Sequence, residues 1–476
     1  LFMQFAEPLG TADTSIDAAW DFLNECWQPK AMEILKRLAP PMIRWGGCFS
    51  SYYHWREAVG PRSERVPMFN LCWDGVYGNQ VGTGELAELA RKLRSELLLG
   101  VNFESDGRAK WAHPRPDQHR SGDAQEAADW VRYCNDPDDK LRRQHGYHEP
   151  FNIRYWQIGN ETGYDPDGFN AEQNAAAAVR FVEALRQADS GLQLIVWGDG
   201  PNEVWQRRYR EGLNSDWSEL VCEAVGESTE MVAFHNHFGV GPEYAALHGL
   251  EYRRDPDVTW ERLLASTRDF EDRILYMRRS VEPYRRKLAI TEGHLVPSGR
   301  HRGDILSTWG AGVAYARCAN ILERHGDIIE IATLADFMGN RWQNNAIMLP
   351  TPMWTNIQPY FLPVGSIMAL YRHHIGREAV GVRSCESVDA AGSRTGDRYY
   401  LHLVNLDRMA AQSLCFEIDG RPATPAAIYE ISADAMDEIT EMTPDLFAPK
   451  SVKPTGDRYT LSAAGVAVVE FDTPLR

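Results

Sequence analysis

The sequence lacks the cysteine spacings that mark metal-bound or disulfide-rich proteins. Its eight cysteines, at positions 26, 48, 72, 134, 222, 318, 385 and 415, form no Cys-x-x-Cys pair and no cluster. Neither a zinc site nor a dense disulfide framework is indicated, and a reducing compartment is compatible with this pattern. The sequence also has no apolar run near the ~18 residues of a membrane helix and no signal-peptide pattern. We expect a cytoplasmic protein without a membrane partner.

The chain is short of positive charge. It carries 50 Lys and Arg against 67 Asp and Glu, for a formal net charge of −17. Because binding to a phosphate backbone needs a basic face, nucleic acid is not an expected partner. A glycine-rich phosphate loop, which an open nucleotide-binding sheet would need early in the chain, is also missing. An uncharged substrate and no cofactor fit this composition.

What the sequence does have is a regular alternation of strand and helix patterns. Short apolar segments lie at residues 2–6, 41–45, 96–102, 152–158, 192–197, 231–234, 287–292 and 328–332, and segments of helical periodicity separate them, the first at about residues 16–38. This order predicts an α/β fold, a closed (β/α)8 TIM barrel over residues 1–375.

The pattern changes past about residue 376. Short, alternating, turn-separated segments follow at residues 398–405, 413–418, 426–431, 459–461 and 465–471. They predict a C-terminal antiparallel β-sandwich, jelly-roll-like, over residues 376–476.

Two of the predicted barrel strands end in a glutamate. Glu161 follows strand four and Glu292 ends strand seven. Catalytic side chains of such barrels lie at the carboxyl ends of the strands, and glycoside hydrolysis needs a pair of carboxylic acids. One glutamate at a strand end is usually a structural ion-pair partner, whereas two on separate strands favour catalysis.

The two glutamates are predicted to differ in role. We expect Glu161 to be the acid/base, because the neighbouring amide of Asn160 can hold a substrate hydroxyl beside the scissile bond, and Glu292 to be the nucleophile of a retaining mechanism. Partial burial and a second carboxylate nearby would keep the acid protonated, and its pKa would fall once the nucleophile is glycosylated.

Motifs spread over nearly the whole chain are characteristic of one enzyme family. They are Phe5-Ala6-Glu7-Pro8-Leu9-Gly10; Arg44-Trp45-Gly46-Gly47-Cys48-Phe49; Ala127-Ala128-Asp129-Trp130-Val131; Tyr155-Trp156-Gln157-Ile158-Gly159-Asn160-Glu161; the His235 segment; Thr291-Glu292; and Pro444-Asp445 with Val452-Lys453-Pro454. In this combination the sequence resembles the retaining glycosidases of clan A, and among them glycoside hydrolase family 51, the α-L-arabinofuranosidases.

The resemblance implies an exo-acting retaining enzyme for an oligosaccharide or a polysaccharide side chain, with Glu161 as acid/base and Glu292 as nucleophile. It further implies that Glu7, Cys48 and Asn160 line the terminal sugar subsite and that His235 and His237 lie near the nucleophile. Asp336, on the strand-eight loop, is a further candidate for substrate binding. Family similarity also suggests a homo-oligomer.

The chain departs from the family at several of these places. The family usually has histidine at the position of Pro8, a proline inside the Arg44–Gly46 turn, a tyrosine near His237, tryptophan at the position of Gly293 and a glutamine near Asp336. These departures concern the sugar more than the mechanism, so another furanosidase, a β-pyranosidase or an endo-glycanase of the clan stays open.

Two hypotheses from other functional classes also stay open. His235 and His237 lie two apart on a strand end and face the same side, as metal ligands of barrel hydrolases do, and possible additional ligands are Asp199, Glu292, His294 and Asp336. A metal-dependent hydrolase is therefore an alternative, although no metal is our prediction. A non-catalytic sugar-binding protein with this fold is another alternative, which the retention of both glutamates disfavours.

Overall fold

The chain forms two compact units. The computed structural model describes residues 1–11, 13, 15–165, 167–200, 216–297, 303–341, 344–350 and 356–472. The first unit comprises Leu1–Asn236, Asp272–Gly293 and Ile328–Arg341, and the second comprises His237–Glu271, His294–Asp327 and the chain from residue 342 onward. None of the helices in the described part of the chain combines the length and the apolar composition needed to cross a membrane.

A curled parallel sheet organises the first unit. Within the described residues its first eight strands in chain order are β1 (Gln4–Ala6), β2 (Met42–Trp45), β3 (Glu96–Val101), β4 (Tyr155–Ile158), β5 (Gln193–Trp197), β6 (Met231–Phe238), β7 (Lys287–Leu295) and β8 (Ile329–Ala332). Each strand is hydrogen-bonded to its neighbour in sequence. The backbone N–H of Met3 donates to the Ala332 carbonyl at 2.9 Å, which joins the start of β1 to the end of β8. The domain is therefore TIM-barrel-like.

The last strand is interrupted. After β8, residues 333–335 leave the strand conformation, and a short strand β9 (Asp336–Gly339) follows. It pairs in parallel with β1, with Asp336 opposite Phe5. The first strand is thus hydrogen-bonded both to the end of β8 and to β9. The pairing with β9 places Asp336 beside β1, the strand that leads to Glu7.

Helices follow the strands along the chain. The longer ones are α1 (Pro29–Leu38), α2 (Thr83–Leu93), α3 (Ala124–Asn135), α4 (Ala171–Ala188), α5 (Asp216–Val225), α6 (Pro256–Val281), α7 (Trp309–Arg324) and α8 (Pro363–His373), and two short helices span Ala109–Ala112 and Lys140–Gln144. The side-chain carboxylate of Asp123 accepts a hydrogen bond from the N–H of Glu126 and so caps α3.

The predicted first helix is too long. Residues 16–28 do not belong to it, because the chain there forms a 3₁₀ turn and a small hairpin of Trp20–Asp21 with Cys26–Trp27. The carboxylate of Asp21 accepts the backbone N–H groups of Leu23 and Asn24, both at 3.0 Å, and so holds the hairpin turn. The helix begins only at Pro29, whose fixed φ and missing N–H suit a first helical turn.

The interior of the parallel sheet changes from apolar to polar along the strands. One buried core cluster includes Met42 of β2, Ile195 of β5, and Met231 and Ala233 of β6. Side chains two residues apart on a strand point to the same face. The next positions on that face include Arg44 on β2 and His235 on β6, and both are buried. The apolar layers therefore support a polar layer at the carboxyl ends of the strands.

The second unit contains the C-terminal antiparallel strands. They are β10 (Asn345–Met348), β11 (Tyr360–Phe361), β12 (Glu378–Val380), β13 (Val388–Thr395), β14 (Arg398–Asn405), β15 (Gln412–Cys415), β16 (Ala427–Ile431), β17 (Lys450–Val452), β18 (Arg458–Leu461) and β19 (Val466–Asp472), with short pairs at Glu417–Ile418 and Arg421–Pro422. A six-stranded sheet has the order β12-β13-β14-β19-β16-β17, and β15 pairs with β18. Leu403 and Val469 of the larger sheet share one buried cluster with Tyr459 and Leu461 of the smaller.

Candidate active site

The segment after β4 turns sharply to present Glu161. Gly159 has φ 87° and Glu161 has φ 54°, so two of three consecutive residues adopt left-handed conformations. A left-handed φ is uncommon for a residue other than glycine, asparagine or aspartate, and at Glu161 the surrounding contacts must hold it. Asn160 is buried, whereas 13% of the Glu161 side chain is exposed. The carboxyl group of Glu161 is therefore accessible to a bound molecule.

Arg44 on β2 is the buried cation of the site. Its Nη1 donates to Oε1 of Glu292 at 3.1 Å, and its Nη2 donates to Oδ1 of Asn160 at 2.6 Å. Its Nε donates to Oε1 of Gln157 on β4 at 2.7 Å. The guanidinium group is completely buried, and only 4% of the Glu292 side chain is exposed. One arginine thus neutralises Glu292 and fixes the amide beside Glu161.

His235 on β6 contacts both glutamates. Its Nδ1 lies 2.9 Å from Oε1 of Glu161, and its Nε2 lies 3.6 Å from Oε1 of Glu292. The ring is packed edge to face against Trp197 of β5, with 4.7 Å between ring centroids. The two carboxyl groups therefore flank opposite nitrogens of one oriented imidazole. The segment after β4 and the carboxyl-terminal halves of β6 and β7 converge at this point. Strand β7 continues to Leu295, so the prediction that it ends at Glu292 is wrong.

Glu7, after β1, is a second acidic group at the site. It is buried, and its Oε1 accepts a hydrogen bond from the N–H of Phe49 at 3.1 Å. Burial and, next to it, the negative charge of Glu292 raise the pKa of Glu7 well above its ordinary value. A carboxyl group held protonated in this way can donate a hydrogen bond to a ligand oxygen.

Gly47 makes room for Glu7. Its φ of 127° and ψ of −164° fall in a region that side chains rarely adopt. A Cβ atom at this position would lie 2.4 Å from Cδ of Glu7 and 2.5 Å from its Oε2. Glycine is therefore required here both by the backbone conformation and by the approach of the carboxyl group.

Cys48 completes the contacts of Glu161. Its Sγ donates to Oε2 of Glu161 at 3.5 Å. A hydrogen bond with Cys72, together with burial and nearby negative charges, raises the pKa of the Cys48 thiol well above its ordinary value. The group therefore remains a thiol at neutral pH and acts as a hydrogen-bond donor rather than as a nucleophile.

The structure brings six of the eight candidate residues together in the first unit. Glu161, Glu292, Asn160, Cys48 and His235 are linked by the contacts above, and Glu7 is close enough to Glu292 for their charges to interact. Asp336 also belongs to this unit and is buried on β9. His237 is a buried residue of β6 in the second unit, where its ring centroid lies 4.5 Å from that of His294.

No role for Arg44 or Gln157 followed from the sequence pattern. Both stood inside motifs used for the family resemblance, and both are charged or amide side chains on predicted buried strands. A buried charge is expected to be paired, so Arg44 on a strand was a usable signal for a carboxylate partner. Asp106 and Arg108 contact the Asn160–Glu161 segment. Asp106 lies in a loop that no sequence pattern marked, and Arg108 directly follows that loop.

Comparison with known proteins agrees with these motifs. The family model described as Alpha-L-arabinofuranosidase 1 domain matches residues 34–209. Alpha-L-arabinofuranosidase C of Emericella nidulans is 35% identical over 202 residues, which are 41% of this chain and 37% of that protein. An intracellular exo-alpha-(1->5)-L-arabinofuranosidase of Halalkalibacterium halodurans is 26% identical over 215 residues, 44% of this chain and 38% of the relative. The chain thus covers less than two fifths of the length of these relatives.

Solved structures extend the similarity of fold to nearly the whole chain. The GH51 α-L-arabinofuranosidase of Thermotoga petrophila aligns with a TM-score of 0.74 and 21% identity over 98% of this chain and 96% of its own. The family 51 enzyme AbfB of Bifidobacterium longum aligns with a TM-score of 0.78 and 19% identity over 99% of this chain and 95% of its own. The predicted resemblance is confirmed: in sequence over residues 34–209 and in fold, this is a protein like the α-L-arabinofuranosidases of glycoside hydrolase family 51.

Proposed function

We propose that the protein is an α-L-arabinofuranosidase, a retaining glycoside hydrolase that removes a terminal sugar from an oligosaccharide or a polysaccharide side chain. The observation that carries the proposal is the contact of Glu161 and Glu292 with opposite nitrogens of His235. Two carboxyl groups that both contact one imidazole ring are near enough to act on the same anomeric carbon. The names of the similar proteins support arabinofuranose as the sugar.

In the first step, an oxygen of Glu292 attacks the anomeric carbon as the glycosidic C–O bond breaks, and Glu161 gives its proton to the departing oxygen. Arg44 stabilises the negative charge of Glu292 before the attack and keeps the carboxylate in a fixed position. Because the side chain of Glu161 is the more exposed of the two, it suits the side of the site that the leaving group occupies.

In the second step, Glu161 takes a proton from water, the water oxygen bonds to the anomeric carbon, and the ester bond to Glu292 breaks. The products are the free sugar with its original anomeric configuration and the regenerated carboxylate. His235 remains between the two carboxyl groups throughout and keeps the ring orientation set by Trp197.

The remaining candidate residues are proposed to bind the sugar. The protonated Glu7 can donate a hydrogen bond to a sugar oxygen. The Cys48 thiol, whose hydrogen bond goes to Glu161, can contact the sugar, and the amide of Asn160 can hold the 2-hydroxyl. His235, His237 and Asp336 are proposed as further substrate contacts. Several positions next to these residues differ from the usual family residues, so another furanosidase, a β-pyranosidase or an endo-glycanase of the same clan is the alternative.

We also propose a finer description of the architecture. The core shared by Leu403, Val469, Tyr459 and Leu461 supports a jelly-roll-like β-sandwich over residues 376–476, after a (β/α)8 barrel over residues 1–375. The homo-oligomer and the cytoplasmic location stay predictions.

The test uses Glu161→Ala and Glu292→Ala, with the exposed Glu88→Ala on α2 as the matched control. We expect Glu161→Ala to lower kcat by about 10²- to 10⁴-fold on an alkyl arabinofuranoside, which needs protonation of its leaving group, and far less on an activated aryl glycoside. Azide should partly restore turnover, because it attacks the glycosylated enzyme without a general base. Glu292→Ala should lose both activities.

Two assays of the wild-type enzyme identify the substrate and test the mechanism. A panel of aryl furanosides and pyranosides identifies the sugar, and NMR of the first product identifies the anomer, for which retention is expected. Activity that persists in a strong chelator speaks against the metal-dependent hydrolase. Hydrolysis at the wild-type rate by both Glu161→Ala and Glu292→Ala would contradict the proposed function.

A further inference from the structure

A loop after β3 holds four consecutive residues in the left-handed region. The φ angles of Glu104, Ser105, Asp106 and Gly107 are 49°, 52°, 53° and 76°. Only the last of them is glycine, and left-handed conformations for other residues usually occur singly. The loop is fixed by hydrogen bonds: the N–H of Ser105 donates to Oδ1 of Asn102 at 3.2 Å, and the N–H of Phe169 donates to the Asp106 carbonyl at 3.1 Å. A conformation of this kind persists where the surroundings enforce it, often beside a functional group.

The loop directs Asp106 at the backbone that carries Glu161. Asp106 is buried, and its Oδ1 accepts a hydrogen bond from the N–H of Asn160 at 3.3 Å, while its Oδ2 accepts one from the Ser51 hydroxyl. Arg108, which follows the loop, donates from Nη2 to the Glu161 carbonyl at 2.7 Å. The peptide segment of Asn160 and Glu161 is thus held on its N–H side and on its carbonyl side.

We propose that Asp106 is a positioning residue for Glu161, which holds the left-handed turn at the acid/base by accepting the Asn160 N–H. The inference rests on the proposed function and adds to it a determinant of acid/base catalysis outside the sugar subsite. Asp106 does not contact the glycosidic bond; it acts through the backbone of its neighbours. A small displacement of a catalytic group costs much of its effect, so the fixed turn has a direct consequence for turnover.

The charge of Asp106 depends on pH in the range where the enzyme would work. Burial raises the pKa of Asp106 to about 6, and the charge of Glu161 adds to this, whereas the Arg108 guanidinium, Ser51 and the Asn160 N–H lower it. The facing charged groups are Arg108, 4.0 Å from Oδ2, and Glu161. Above pH 6 the ionised carboxylate makes the stronger, charge-assisted hydrogen bonds. As the pH falls below 6, protonation weakens its hold on the Asn160 N–H.

The experiment compares the wild type with Asp106→Asn and Asp106→Ala. Asparagine keeps an oxygen that can accept the Asn160 N–H but loses the charge, whereas alanine loses both. Asp138→Asn is the control, because its side chain is 85% exposed and pairs with the exposed Arg143. Each enzyme is assayed for kcat and KM across pH on an alkyl arabinofuranoside and on an activated aryl arabinofuranoside, and its thermal unfolding is recorded.

We expect Asp106→Ala to lower kcat on the alkyl substrate by about 10- to 100-fold, with a smaller loss on the aryl substrate and little change in KM. Asp106→Asn should recover part of the loss and should lack the decline in activity below pH 6 that the wild type shows. The inference is overturned if both variants match the wild type on the alkyl substrate. It is also overturned if activity on the alkyl and aryl substrates falls in equal proportion, because a loss of folded enzyme would have that effect.

A second measurement is independent of hydrolysis. In wild-type protein labelled with ¹⁵N-asparagine, the Asn160 amide resonance should shift with a midpoint near pH 6, and the shift should disappear in Asp106→Asn. An Asn160 amide that titrates identically in both proteins overturns the inference. Failure of the proposed function has a different result: the wild type and Asp138→Asn would then hydrolyse neither arabinofuranoside. In that case the amide titration still tests whether Asp106 holds the Asn160 N–H.

Discussion

Replacement of Arg44 by methionine tests the electrostatic arrangement of the site. Arg44 is fully buried and is bonded to Glu292, Asn160 and Gln157, and Glu292 is 4% exposed. Methionine fills similar space but leaves the carboxylate of Glu292 buried without this cation. Removal of one partner from a buried ion pair costs about 3–5 kcal/mol of folding free energy, because the other charge is left uncompensated. We expect Arg44→Met to lose stability in this range.

The same change should lower kcat. Loss of one fixed donor to a reacting group typically costs about 10²- to 10³-fold, and here the donor also aligns the amide beside Glu161. Urea denaturation at pH 7 measures the stability, and hydrolysis of an aryl arabinofuranoside measures the activity.

The control is Arg143→Met, since that arginine is 49% exposed and pairs with an exposed aspartate. Exposed pairs contribute about 0–1 kcal/mol, so this variant should unfold and react like the wild type. If Arg44→Met also unfolds within about 1 kcal/mol of the wild type and keeps its kcat, the account of Arg44 as the neutralising cation of Glu292 is refuted.

Two further predictions concern single positions. Gly47→Ala should lower the free energy of unfolding by about 1–3 kcal/mol because of its backbone conformation, and it should raise KM because the new methyl group displaces Glu7. Gly146→Ala is the control, since Gly146 has φ 90° and open space around it, so this substitution measures the backbone cost alone. Equal effects of the two substitutions on KM would contradict the role of the contact with Glu7. Burial raises the pKa of Asp17 to about 7 from an ordinary 3.8, so the folded state binds the extra proton between these values and its stability falls as the pH rises through that window. Asp17→Asn should therefore unfold like the wild type at pH 4.5 and at higher urea than the wild type at pH 7.5, and a constant difference across this range would contradict the reasoning.

The barrel pattern was predictable because its signals are local. Each parallel strand is a short apolar run with a helix pattern after it, so the order of elements could be read directly, and Glu161 and Glu292 stood out as charges where such runs end. The first helix was overpredicted because Trp20 and Trp27 occur at helical spacing, while in the structure they pack across a hairpin with 5.1 Å between ring centroids. Periodicity cannot separate these cases when the turn is made by a side chain such as Asp21.

The contacts that orient the proposed catalytic groups were not predictable in the same way. Arg44 and Glu292 are far apart in sequence, and their pairing depends on which interior positions of β2 and β7 lie at the same height in the sheet. The role of Asp106 depends on a run of left-handed residues for which the sequence offers only Gly107 as a signal. Long-range register and strained loops are properties of the folded chain, and residue type alone does not specify them.

The three-way binding of Arg44 has a consequence for the proposed catalytic cycle. When Glu292 becomes an ester, its charge disappears, yet the guanidinium group is still held by Gln157 and Asn160. The cation therefore does not have to relocate between the two half-reactions and is already in place when the carboxylate is released. In the proposed mechanism, reorganisation of the protein adds little to either barrier, and the site returns to its starting state without a conformational change.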